Sequence, residues 1–141
     1  RNETEDNPAA IDYRDWHVPL GRRFRALKLW FVLRSYGAEN LRTFIRSHVA
    51  WAEALESKVI NDSRLELTAP RTLALVCFRH IDGNHATREL ADAINASGSA
   101  YVTPSVTNDV AYIRVSIGST WTEQRHVEDL WDLIDSNAGL K

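Results

Sequence analysis

The sequence predicts an α+β fold, a small and mainly antiparallel sheet with helices packed on one face. Three observations lead there. Between residues 22 and 60 apolar side chains recur at three- and four-residue steps; after residue 64 the period changes to two; and the later segments mix short strands with helices, without internal repeats or low complexity.

The elements come in order along the chain. Residues 1–10 read as a polar lead rich in Asn, Glu and Asp, and 11–21 as irregular chain punctuated by Pro19 and Gly21. A first helix is predicted from Arg22 to Tyr36, with Phe24, Leu27, Phe31 and Arg34 at helical spacing and Gly37 as its stop. A second runs from Glu39 to Ile60, where Leu41, Phe44, Ile45, His48, Ala52, Leu55 and Val59 form the inward stripe. Leu65 and Leu67 alternate in a short strand, and Thr72 to Arg79 forms a more buried one. Asn84 is expected to cap a helix from His85 to Ser97, with Leu90, Ala91 and Ile94 inward and Gly98 ending it. Ala100 to Thr103 reads as a strand, and Val110 to Ile117 as another with Ile113, Val115 and Ile117 on one face and Arg114 and Ser116 on the other. Thr120-Trp121-Thr122-Glu123 has the form of a capping box for a last helix whose Val127, Leu130, Trp131 and Ile134 face inward.

Composition narrows the function classes. The 141 residues are 44% hydrophobic and 26% charged, those of an ordinary globular domain with one core. A formal net charge of −2 gives no electrostatic reason to expect nucleic acid or an anionic membrane as partner. No apolar run approaches the roughly 20 residues of a membrane span, and no signal peptide opens the chain. Cys77 is the single cysteine, so an internal disulfide is impossible, which fits a cytoplasmic location. The absence of any Met, with a start at Arg1 in loop-like composition, leads to the expectation of a processed or excised piece.

Two features can carry chemistry. From Arg14 through Arg34 there are six Lys or Arg and one acid, a cluster able to sit near an anion at a helix start or to form a solvated or subunit-facing surface. A DNA-reading helix is the poorer alternative, because Trp30-Phe31-Val32-Leu33 is too apolar to lie in a groove. Arg114 stands between Ile113 and Val115. It is either a grip for a substrate carboxylate through two parallel hydrogen bonds or an ordinary solvent-facing arginine. The five histidines (His17, His48, His80, His85, His126) lack metal-ligand spacing, and His48 reads as a packing residue.

The run from Asp12 to Gly37, DYRDWHVPLGRRFRALKLWFVLRSYG, closely resembles the aromatic-L-amino-acid decarboxylases, a group that includes aldehyde synthases. So do Leu41-Arg42, Ile45-Arg46-Ser47-His48-Val49, Leu75-Val76-Cys77-Phe78-Arg79, Ile94-Asn95-Ala96-Ser97-Gly98 and Tyr112-Ile113-Arg114. The resemblance implies the C-terminal portion of a fold-type-I pyridoxal-phosphate enzyme and an obligate homodimer. Residues 1–21 would be catalytic-loop remnant and linker, and 22–141 the small C-terminal domain. The family's cofactor lysine stands in a His-Lys-Trp context. This chain has only Lys28, Lys58 and Lys141, none so placed, so that lysine and the loop tyrosine are expected upstream and the chain alone inert. By the same resemblance Arg114 binds the substrate carboxylate. Gly21 lines the substrate pocket and leaves room for an aromatic ring, and Arg22 is tied to the active-site loop. The implied reaction converts an aromatic L-amino acid to its amine and carbon dioxide with pyridoxal 5′-phosphate. An aldehyde synthase, and a free-standing interaction domain without catalysis, are the alternatives.

Overall fold

The computed structural model describes Gly21 and residues 23–139, which divide into two compact units at Ala38/Glu39. The first unit is built on helix α1 (Arg25–Tyr36), which starts three residues later than expected. Gly37, with φ of 74°, ends it: its N–H donates to the Leu33 carbonyl, and a side chain at that φ would be strained. None of the residues of α1 is buried. Trp30, Phe31 and Leu29 are all more than half exposed.

The second unit contains α2 (Ala38–Asn61, its first residue falling before the division), β1 (Leu65–Leu67), β2 (Leu75–His80), α3 (Asn84–Ala96), β3 (Thr103–Thr107), β4 (Val110–Ser116) and α4 (Gln124–Asn137). Its four strands form one wholly antiparallel sheet in the order β1-β2-β4-β3. Strand alternation decides the layers. Val76, Phe78 and His80 of β2, with Ala111, Ile113 and Val115 of β4, are buried on the side covered by α3, against which α4 packs, whereas Cys77, Arg79, Arg114 and Ser116 point to the opposite, open face. Ala52, Leu55 and Val59 of α2 and Val127, Leu130 and Ile134 of α4 complete the same core. The expected inward stripes are present in part: in α2, Ile45 is 55% exposed and Leu41 and Phe44 are only partly buried, because the core begins at His48, and in α4 Trp131 is only partly buried, with the Lys58 ammonium 5.5 Å from its ring centroid.

Four expectations are corrected. The strand expected at Ala100–Thr103 lies at Thr103–Thr107, where the hydrogen-bonding register with β4 sets it. The strand expected from Thr72 begins at Leu75, because Thr72 and Leu75 close a tight turn on each other. Helix α3 is capped by Gly83, at φ 95°, rather than by Asn84. The Asn84 amide is used at long range: it donates to the Asp109 carbonyl at 2.6 Å and accepts from the Ala111 N–H at 2.8 Å. That pins the β3–β4 hairpin, whose turn residues Asn108 and Asp109 both have positive φ, as a two-residue hairpin of this twist requires. Last, α4 is capped by Glu123 with His126 three residues on, not by Thr120 with Glu123. Asn84→Ala should cost about 1–3 kcal/mol, since it leaves a buried backbone N–H without an acceptor, and a denaturation midpoint measures it.

Two further contacts hold the end of the domain where α4 finishes. The His80 imidazole donates from Nε2 to the Ala138 carbonyl at 3.0 Å and accepts the Asp82 N–H at Nδ1, which fixes the tautomer of the ring. Arg64 is clamped between Asp62 (2.6 Å) and Asp135, joining the α2–β1 turn to α4. The Arg64 guanidinium lowers the Asp62 carboxyl below its ordinary pKa against an opposing effect of burial. A carboxyl lowered on folding stabilises above its unfolded pKa and loses that contribution as pH falls through the folded value. The wild-type domain should accordingly lose stability below about pH 4. Arg64→Met should remove most of that acid dependence in a pH series of urea melts.

Candidate functional site

The open face of the sheet carries the chemistry-bearing residues. Arg114 stands on β4, two residues from the end of that strand, with Cys77 of β2 as its register partner on one side and Thr103 of β3 on the other. Neither neighbour carries a charge at neutral pH: burial pushes the Cys77 thiol up and outweighs the opposing effect of the Arg114 charge. Arg79 on the same face is treated differently, held at 2.5 Å by Glu66 across the β1–β2 pair. Tyr112 closes the other side of the face, its hydroxyl 3.1 Å from the Thr107 hydroxyl. Among the described residues, Arg114 is thus an exposed arginine on a strand, with no carboxylate paired to it. That geometry leaves both guanidinium edges available to an anion from outside the domain.

The other expected site residues lie elsewhere. Gly21 belongs to the first unit, is exposed, and a Cβ built on it meets nothing within 4 Å. Arg22 and His17 lie outside the described residues. The basic cluster continues as Arg25, Lys28 and Arg34 of α1, where the Arg34 guanidinium lies 5.9 Å from the Trp30 ring centroid. His48 is buried, stacked edge-on between Phe44 and Trp51, with Nδ1–H donating to the Phe44 carbonyl at 2.8 Å. The packing reading holds for that nitrogen, while Nε2 has no partner among the described residues. Cys77 and Thr103 as neighbours of Arg114 are not deducible from sequence, since they depend on strand register.

A covalently held cofactor needs a lysine in an enclosed polar setting. Lys58 is spent on the Trp131 ring, Lys28 stands on the uncovered α1, and Lys141 lies outside the described residues. The described residues therefore do not build such a site. No helix among them is long and apolar enough to cross a membrane.

Fold and site together define an α+β domain with an exposed arginine, Arg114, on the open face of its antiparallel sheet. Residues 3–81 match the model of the pyridoxal-dependent decarboxylase conserved domain, and the chain belongs to that family. It is 42% identical to tyrosine/DOPA decarboxylase 1 of Papaver somniferum, over 97% of this chain and 30% of that protein. Phenylacetaldehyde synthase of a Rosa hybrid cultivar is also 42% identical, over 98% of this chain and 30% of that protein. Among solved structures, Oryza sativa TDC with PLP and tryptamine superposes with a TM-score of 0.79 and 40% identity, covering 92% of this chain and 29% of that one. The chain spans about 30% of the length of the curated relatives it matches.

Proposed function

We propose that the chain is the C-terminal part of a pyridoxal-phosphate-dependent aromatic amino acid decarboxylase, and that Arg114 holds the substrate carboxylate. The observation that carries this reading is Arg114, a guanidinium on the open sheet face with no carboxylate paired to it among the described residues, beside a neighbour, Arg79, that is neutralised by Glu66. The cofactor and the lysine that binds it belong to residues outside these 141, so the chain alone is inert. Gly21, with open space where a side chain would stand, suits a bulky aromatic ring nearby, and Arg22 is assigned to the active-site loop. The complete enzyme acts as a homodimer in the cytoplasm.

The chemistry of Arg114 is orientation. A carboxylate loses its charge as carbon dioxide departs, so a cation holding it stabilises the ground state at least as well as the transition state. What two parallel N–H···O bonds provide is direction: they fix the torsion about the bond to be broken, which raises rate through alignment. A second reading, an aromatic aldehyde synthase, is favoured by the rose relative, as similar to this chain as the poppy decarboxylase. Both readings keep the carboxylate grip and differ in the fate of the substrate carbon once carbon dioxide has left.

The test is a product assay on the complete enzyme, supplied with pyridoxal phosphate and tyrosine, DOPA, tryptophan or phenylalanine in turn. Amine formed in step with carbon dioxide supports the decarboxylase; aldehyde with ammonia and hydrogen peroxide, at the expense of dioxygen and water, supports the synthase. No carbon dioxide from any of the four would overturn both.

A further inference from the structure

One end of the sheet gathers three apolar side chains that the domain leaves in water. Because Ser116 pairs with Leu75 and Arg114 with Thr103, the end of β4 lies beside the starts of β2 and β3. Leu73 sits just before β2, Tyr101 just before β3, and Trp121 in the turn between β4 and α4. The Ile117 N–H donates to the Ala74 carbonyl at 3.0 Å, which ties two of these loops together. The three side chains are 69, 81 and 84% exposed, respectively.

The loop that carries Leu73 is built, not slack. Leu73 has φ of 51°, in the left-handed region where a leucine is strained. Arg71 braces it, donating from Nε to Glu56 at 2.7 Å and from Nη1 to the Leu73 carbonyl at 3.0 Å. Both side chains of that ion pair are about four-fifths buried. A strained residue and a largely buried ion pair therefore hold an apolar side chain out into solvent, where it stabilises nothing within the domain.

We propose that Leu73, Tyr101 and Trp121 anchor the cofactor-bearing portion of the enzyme and so set the position of Arg114 over the substrate, an inference that rests on the carboxylate role of Arg114. Arg114 lies two residues from this end of β4, so a body that delivers a carboxylate to its guanidinium lies over the same end of the open face, within reach of the three side chains. The relatives supply such a body, since this chain accounts for only about 30% of their length. Two aromatic rings and a leucine are also the side chains that bury most area per ordered residue at an interface.

Footprinting of the complete enzyme with a photogenerated carbene tests this. Tyr101 and Trp121 should be protected by at least ten-fold relative to Ile60, which is 64% exposed at the opposite end of the domain. L73S/Y101S/W121S should lower kcat/KM by at least ten-fold, and adding Arg114→Ala to it should cost less than Arg114→Ala costs the wild-type enzyme. Equal labelling of Tyr101, Trp121 and Ile60 would overturn the proposal. So would protection that disappears on dilution to monomers, which would make a second copy the occupant. Protection that persists while Arg114→Ala leaves activity untouched would keep the docking surface and sink the carboxylate role instead.

Discussion

Arg114→Ala in the complete enzyme is expected to lower kcat/KM for an aromatic amino acid by about 10²–10³-fold, or about 3–4 kcal/mol, since two charge-assisted hydrogen bonds are lost together. The loss should divide between KM, because the carboxylate loses its anchor, and kcat, because the bond to be broken is no longer aligned. Arg114→Lys should recover part of the KM effect and little of kcat, because an ammonium supplies charge without the planar fork. That division separates orientation from charge: a purely electrostatic grip would be restored in both constants by lysine. A simple solvent-facing arginine, by contrast, would change neither constant on substitution. Fold should not suffer, since the side chain is exposed and its cross-strand neighbours Cys77 and Thr103 are uncharged. Unchanged steady-state constants in Arg114→Ala would remove the carboxylate role altogether.

Sequence pattern revealed the second unit wherever burial leaves a period. Helix α2 shows one stripe, and three of its positions, Ala52, Leu55 and Val59, enter the core as the spacing predicts. Strand β4 was equally legible: Ile113 and Val115 are buried and Arg114 and Ser116 exposed, so the side on which Arg114 stands followed from parity alone. Strand β3 was not. It is an edge strand, Thr103-Pro104-Ser105-Val106-Thr107, exposed at every position but one, and with so little buried there is no alternation to read. The more apolar Tyr101 and Val102 place the expected start three residues upstream, at Ala100, whereas Val102 is fixed by the Asn95 amide, which takes its N–H at 2.7 Å and donates to its carbonyl at 3.1 Å.

Caps failed for a related reason. Asn84, Thr120 and Glu123 are all residues that terminate helices, and which of them does so depends on competing partners brought in by tertiary structure. Asn84 finds Asp109 and Ala111, twenty-five and twenty-seven residues on, and leaves the cap to Gly83. The site shows the same division. An arginine on a strand was visible in the sequence. That its flanking partners are a neutral thiol and a threonine, while Arg79 is neutralised by Glu66, depends on the register of three strand pairs.

Phe78→Ala should cost about 3–5 kcal/mol, the range for truncating a large, fully buried aromatic side chain. Phe78 is wholly buried on β2, with Ile113 as its register partner on β4 and Leu67 on β1, so its ring fills the space between the sheet and the helices. Neighbours cannot collapse into the void, because Val76 and Ile113 sit on strands whose spacing hydrogen bonds fix. A domain whose whole stability is about 5–15 kcal/mol would lose much of its margin. Hydrogen exchange in the complete enzyme reads this locally: amides of β2 and β4 should exchange about 10²- to 4 × 10³-fold faster in Phe78→Ala, by the conversion of 1.4 kcal/mol per decade. Phe78→Leu keeps most of the volume and should cost less than half as much. If the two variants exchanged alike, the cost would come from the loss of aromatic contacts rather than from the cavity. If neither differed from wild type, the ring would not be the centre of this core. Activity supplies the link back to function: Arg114 sits on β4 immediately beside Ile113, so loosening β2–β4 pairing should raise KM in Phe78→Ala while Phe78→Leu stays near wild type.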